Sequence, residues 1–169
     1  VNTNGTTYWY VAFKTTSGSM GVGSYTGDGV DDRSITGVGF QPNLLFIKQA
    51  TSGTAQTAVM RNHQSYGDES QLFEAAANVT NNIQTFEAGG FQVGTDALVN
   101  TATDTPTYHY AAWGGVPAAA TPSGSFKMAT GSYIGSSPTS QTISGLGFAP
   151  DLVMLKLGTD NVAQWAMVT

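Results

Sequence analysis

The feature that most constrains this chain is that it repeats itself. Gly23-Ser24-Tyr25-Thr26-Gly27 returns as Gly131-Ser132-Tyr133-Ile134-Gly135, and Ile35-Thr36-Gly37-Val38-Gly39-Phe40-Gln41-Pro42-Asn43-Leu44 returns as Ile143-Ser144-Gly145-Leu146-Gly147-Phe148-Ala149-Pro150-Asp151-Leu152. The offset is 108 residues in both (133 − 25 and 150 − 42), and it still holds where Lys48 matches Lys156 and Ala58 matches Ala166. A second pair has its own spacing: Val1-Asn2-Thr3 and Tyr8-Trp9-Tyr10-Val11-Ala12-Phe13 match Val99-Asn100-Thr101 and Tyr108-His109-Tyr110-Ala111-Ala112-Trp113, the Tyr-x-Tyr offset being 100 (108 − 8). The difference sits in a connector, because residues 116–122 have no counterpart between Lys14 and Gly21. Self-similarity at a fixed period is the signature of a modular array. The chain therefore reads as the closing strands of one repeat (1–14), a complete repeat (20–114) and the opening strands of another (125–169). Beginning with Val1 and not Met, the chain is expected to be a processed product or a fragment of something longer, and the half-written last copy argues for a longer parent polypeptide.

The repeated residues are strand residues. In Tyr8–Phe13 and in Leu44-Leu45-Phe46-Ile47-Lys48 both alternating faces are apolar, as in strands buried between two layers; Leu152–Lys156 reads the same way. Asn4-Gly5 is a two-residue hairpin signal. Residues 37–42 read as a turn, with glycines able to take positive φ and Pro42 fixing φ at the strand entrance. Phe86–Gly94 reads as strand, tight turn, strand. Glu69–Asn78 fits a helix with Asp68 as N-cap, but Leu72 and Phe73 fit a strand as well. Many short strands, Gly-rich turns and no βαβ alternation predict an all-β fold built from β-sandwich or jelly-roll-like tandem modules.

Composition narrows the function. Only 10% of residues are charged, against roughly 25% in an average soluble domain, so the surface is covered by hydroxyl and amide side chains. That suits an extracellular β-protein, and it lowers the cost of packing against neighbours. Six Lys and Arg at a net charge of −5 argue against a phosphate-binding surface and hence against nucleic acid. No apolar run is long enough for a membrane-spanning helix. Without cysteine there is neither a disulfide nor a thiolate metal site. Asn4-Gly5-Thr6 and Asn78-Val79-Thr80 are glycosylation sequons whose use the sequence leaves open.

Asp28, Asp31 and Asp32 are the one carboxylate grouping with calcium-loop character, since hard cations take several oxygens. The equivalent loop at 136–140 has no carboxylate, so an acidic solvated turn is the expectation, with no metal or cofactor. His63 and His109 are the only histidines, and His109 stands where Trp9 stands in the preceding copy, which predicts aromatic packing. No Gly-x-Ser-x-Gly or His-Glu-x-x-His is present. Glu69, Glu74 and Glu87 show no spacing that singles out a glycosidase pair. Tyr8, Trp9, Tyr10, Trp113 and Trp165 could stack on sugars, but their period-2 placement beside Val and Ala predicts core, with Tyr110 and Trp113 buried.

The pattern carried by Tyr25, Gly27, Ile35, Gly39, Phe40, Pro42, Leu44, Lys48, Phe86, Gly90, Phe91, Gly94, Val99, Asn100, Tyr108, Tyr110, Ala112 and Trp113 resembles modules in tail-fibre and virion-surface proteins of environmental tailed phages. Such modules often read Asp-Ser-Val-Arg-Gly near the middle, of which Val59-Met60-Arg61-Asn62-His63 keeps only part. The resemblance implies a surface or appendage role and transfers no catalytic residue. Its structural motif residues here are Tyr25, Phe40, Pro42, Lys48, Phe91, Tyr108, Tyr110 and Trp113. The expectation is a non-enzymatic structural module of an extracellular fibre or virion surface. Its partners would be copies of itself or adjacent repeats of a longer chain, with lectin-like binding of cell-surface glycans as the alternative.

Overall fold

The computed structural model describes residues 3–8, 10–50, 56–114, 127–136, 139–157 and, as backbone, 165–168. Among them there are ten strands and no helix. Eight strands build the middle repeat: β1 Met20–Thr26, β2 Arg33–Thr36, β3 Leu44–Gln49, β4 Val59–Asn62, β5 Gln71–Leu72, β6 Ile83–Glu87, β7 Gly90–Val93 and β8 Thr107–Trp113. They form a five-stranded antiparallel sheet, β1-β8-β3-β4-β5, and a three-stranded one, β2-β7-β6. One apolar cluster joins the two sheets into a β-sandwich-like fold.

The core follows from strand alternation. Tyr108, Tyr110 and Ala112 of β8 and Leu45 and Ile47 of β3 point inward from the larger sheet, meeting Ile35, Ile83, Phe91 and Val93 from the smaller. Three aromatic contacts line the interior: Tyr25 stacks on its sheet neighbour Tyr108 with centroids 5.3 Å apart, and Phe91 crosses from the smaller sheet to meet Tyr25 (6.2 Å) and Tyr110 (5.2 Å) edge-on. Gly23 lies opposite Tyr110 across the β1–β8 ladder, and any Cβ there would collide with the tyrosine ring. The Gly-x-Tyr-x-Gly pattern is thus a packing requirement, a gap in β1 that β8 fills.

The predicted hairpin over 86–94 forms as β6 and β7, turning at Ala88 and Gly89. Over 69–78 the strand alternative forms: Leu72 pairs with Val59, Ser70 bridges to Val79, and the Ser70 hydroxyl exchanges hydrogen bonds with both backbone groups of Ile83. Asp68 caps no helix; its carboxylate accepts the Asn81 N–H at 3.0 Å. Sheet pairing of the buried Ser70-Gln71-Leu72 stretch outweighs the helical propensity around it.

Residues 8–13 form no strand where they are described, which corrects the expectation for that segment. Tyr10 is 91% exposed, whereas its counterpart Tyr110 is 9%. The reason is pairing: β8 is held by β1 on one side and β3 on the other, and no described strand flanks 8–13. One local feature does recur. The Thr3 N–H donates to the Tyr8 hydroxyl at 3.0 Å, as the Thr101 N–H does to Tyr108 at 3.0 Å.

Downstream, β9 Val153–Lys156 pairs antiparallel with β10 Trp165–Val168. β9 matches β3, although Leu155 faces Ala166, one residue short of the partner implied by Ile47 facing Val59. Gly145 and Gly147 (φ 88° and 74°) reproduce Gly37 and Gly39 (φ 92° and 85°). Tyr133 and Ile143 lie in no strand and are exposed, unlike Tyr25 and Ile35, so this part of the chain shares the middle repeat's turn and hairpin but not its packing.

Candidate functional site

The motif residues are spent mostly on packing. Tyr25, Phe91, Tyr108 and Tyr110 are core, Pro42 is fully buried, and Phe40 packs on the cluster over Gly21. Lys48 is exposed, its ammonium donating to the Gln56 carbonyl. Trp113 is buried as predicted, but on the outer face of the five-stranded sheet, against Phe46 (4.9 Å) and Phe13 (5.2 Å). Phe46 in turn meets Phe73 at 5.0 Å, so a second, aromatic layer covers part of that outer face. His109 does not pack as Trp9's place would suggest. It is exposed, at the rim of an apolar groove of about 370 Å³ floored by Phe46, Phe73 and Ala111. Trp9 lies outside the described residues, as does the Trp165 side chain.

Burial pushes the Tyr25 phenol above its ordinary range; Tyr108 beside it acts the same way, against a smaller opposite effect from Arg33. Burial likewise raises Tyr108 and Tyr110. The Tyr25 hydroxyl donates to the Val99 carbonyl at 2.7 Å and the Tyr108 hydroxyl to Ala97 at 2.8 Å, pinning the segment ahead of β8.

The acidic loop is organised from within. Asp28 pairs with Arg33 at 3.2 Å and accepts the Val30 N–H; Asp31 accepts the Asp32 N–H and the Gln84 amide, both at 3.0 Å. Asn100 fixes the loop: its oxygen accepts from the Asp28 N–H and Arg33, and its amide donates to the Val30 carbonyl at 2.8 Å. Among the described residues no three His, Cys, Asp or Glu side chains gather as metal ligands. Glu69, in the loop before β5, accepts from Asn78, and Glu87, at the end of β6, from Ser34, while Glu74 is exposed.

Two groups stand out that sequence reasoning did not single out as sites. Arg61 projects inward from β4, buried, and its guanidinium donates to the carbonyls of Glu69 (2.6 Å), Ile83 (3.2 Å), Ser65 and Gly67. Burial lowers its pKa, with Asp68 and Glu69 acting the other way. A planar fork of donors suits this clamp of loop 63–69 to β6, a role a lysine would not fill. Beside it lies an open cleft of about 330 Å³ between the sheets, lined by Gln41, Pro42, Asn43, Arg61, His63, Thr85 and Phe86. His63 faces Thr130, Nδ1 to Oγ1 2.7 Å. The only advance sign was Arg61 in its Val-Met-Arg context, because a cleft assembled from three separate elements leaves no spacing in the sequence.

Residues 15–127 match the family described as a domain of unknown function, DUF7483, a span enclosing β1 to β8. No curated protein and no solved structure matches the chain. With two thirds of its length inside that match, the chain belongs to the DUF7483 family.

Proposed function

We propose that this chain is a non-enzymatic structural repeat module of an extracellular fibre or virion surface appendage. The observation that carries this reading is where the repeated residues go. Within the 20–114 unit Tyr25, Tyr108 and Tyr110 from the larger sheet and Phe91 from the smaller interlock the two sheets, so there the motif residues serve packing. Hydroxyl and amide side chains cover a surface with few charges, which suits close contact between modules. An antibody raised against the chain should label appendages or particle surfaces of the producing organism in electron microscopy. Label confined to the cell interior would overturn the reading.

The cleft supports glycan adhesion as a second reading. Gln41, Asn43, His63 and Thr85 around the Phe86 ring combine amide, imidazole and hydroxyl groups with an aromatic face, the chemistry that saccharides engage. A glycan array probed with the whole chain separates the two. Binding that Phe86→Ala abolishes would favour adhesion, and an array without signal favours the structural role.

A further inference from the structure

The loop between β4 and β5 is tied down along its whole length. The Gln64 N–H donates to Asn62 Oδ1 at 2.8 Å, the Ser65 N–H to the Asn62 carbonyl at 3.1 Å, and the Glu69 N–H to the Tyr66 carbonyl at 3.0 Å. The buried Arg61 supports the same stretch, Nη2 donating to the carbonyls of Ser65 and Gly67 and Nη1 to that of Glu69. Taking a guanidinium out of water is costly unless hydrogen bonds replace the lost hydration, and here those bonds all go to backbone carbonyls, most of them in this loop. The two carbonyls on Nη2 flank Tyr66, which is 85% exposed. A single exposed ring is ordinary on a protein surface. A ring whose backbone is clamped on both sides by one buried cation differs, because a ligand that stacks on it has little left to order.

The same guanidinium joins this loop to the cleft between the sheets. Its Cζ lies 6.0 Å from the centroid of the Phe86 ring, and Arg61, His63 and Phe86 all line the cleft. Tyr66 is three residues from His63, so their Cα atoms are at most about 11 Å apart. The downstream segment reaches the start of the loop, where Thr130 meets His63 and Ser132 meets Gln64 at 3.1 Å, and Tyr66 stays open beyond it. The residues lining the cleft include no carboxylate, and both Nη atoms of Arg61 are engaged by carbonyls, so a ligand meets amide, hydroxyl and imidazole groups in place of a charge. At about 330 Å³ the cleft stands at the small end of ligand sites, which leaves part of any longer ligand outside it.

We propose that Tyr66 is the second contact point of this cleft: its ring stacks on one sugar of a neutral oligosaccharide whose other end sits against Phe86, and Arg61 is the positioning residue that holds Tyr66 in place. The inference rests on the glycan-adhesion reading of the cleft and adds the ligand class and the residue that recognises its length. The cleft's amides and hydroxyls pair with sugar hydroxyls, and the fixed aromatic face supplies apolar contact area for a sugar ring beyond the rim. An acidic sugar would surrender hydration without gaining a counter-charge.

The test is a glycan array carrying neutral hexose and N-acetylhexosamine saccharides, from single units to tetrasaccharides, beside uronate-bearing and sialylated counterparts, probed with the whole chain. The neutral oligosaccharides should bind, and the single units more weakly. Against the tightest neutral oligosaccharide, Tyr66→Ala should weaken binding about tenfold. Its melting temperature should stay unchanged because the ring is exposed, and Tyr66→Phe, which keeps the stacking face, should bind as the unsubstituted chain does. Arg61→Lys should weaken binding when Tyr66 is present and add nothing in the Tyr66→Ala background, the mark of two residues acting as one. Equal losses in both backgrounds would overturn the positioning role. Binding untouched by Tyr66→Ala but abolished by Phe86→Ala would overturn the contact at Tyr66 and leave the glycan reading standing. A preference for the acidic counterparts, or a lower melting temperature in Tyr66→Ala, would overturn the inference too. An array without signal would remove it together with the glycan reading.

Discussion

Tyr25, Tyr108 and Tyr110 show how one residue type serves two purposes here: rings fill the space between the sheets while the first two hydroxyls fasten the segment leading into β8. Their phenols are held above the ordinary 10.0, chiefly by burial. A raised folded-state pKa means that the unfolded chain releases these protons first. The contribution is therefore complete below about pH 10 and is lost as pH climbs beyond it toward the folded values. Urea midpoints should hold steady from pH 7 to 9 and fall above 10, and Tyr25→Phe should soften that fall. Trp113→Ala, removing an aromatic wedged between Phe46 and Phe13, should cost about 3–5 kcal/mol in chemical denaturation. Arg61→Met should cost about 2–4 kcal/mol, since several carbonyls lose a charged donor together. Lysine at that position should rescue it only partly.

At the scale of elements, legibility tracked how local the cause was. The 86–94 hairpin and the 44–48 strand could be read from turn residues and alternation, and both elements form, although only Leu45 and Ile47 of the strand are buried while Leu44 and Phe46 on its other face are half-buried. The 69–78 stretch could not be settled, because Leu72 and Phe73 satisfy either period and the decision belongs to β4, a distant partner. Residues 8–13 and 107–113 make the same point more sharply: near-identical patterns end, among the described residues, outside any strand and as a central strand, according to what lies alongside. The role of Asn100 could not be read from its place in the repeat, since side-chain bonds to Asp28, Val30 and Arg33 follow no periodicity. Those bonds, together with the Gln84 amide on Asp31, hold the acidic loop from within. EDTA should leave the melting temperature unchanged, whereas Asn100→Ala should lower it. A chelator-induced drop that disappears in Asp31→Ala would establish a cation at the loop.

For the whole molecule, the placement of β8 matters most. The last strand of the repeat lies inside the sheet, beside the first, with Met20 and Trp113 opposite each other at one end of the ladder. The chain thus enters and leaves the repeat at the same corner. Tension between those two points falls on the terminal rung of the β1–β8 ladder and parts it like a zip, one rung at a time. It does not shear seven residues' worth of rungs together. Single-molecule stretching should accordingly open the repeat at low force, and a disulfide joining positions 20 and 113 should abolish that opening. A pull applied through the two ends of this unit therefore meets its resistance rung by rung, and the two-strand corner at Met20 and Trp113 sets the force at which the whole sandwich begins to open.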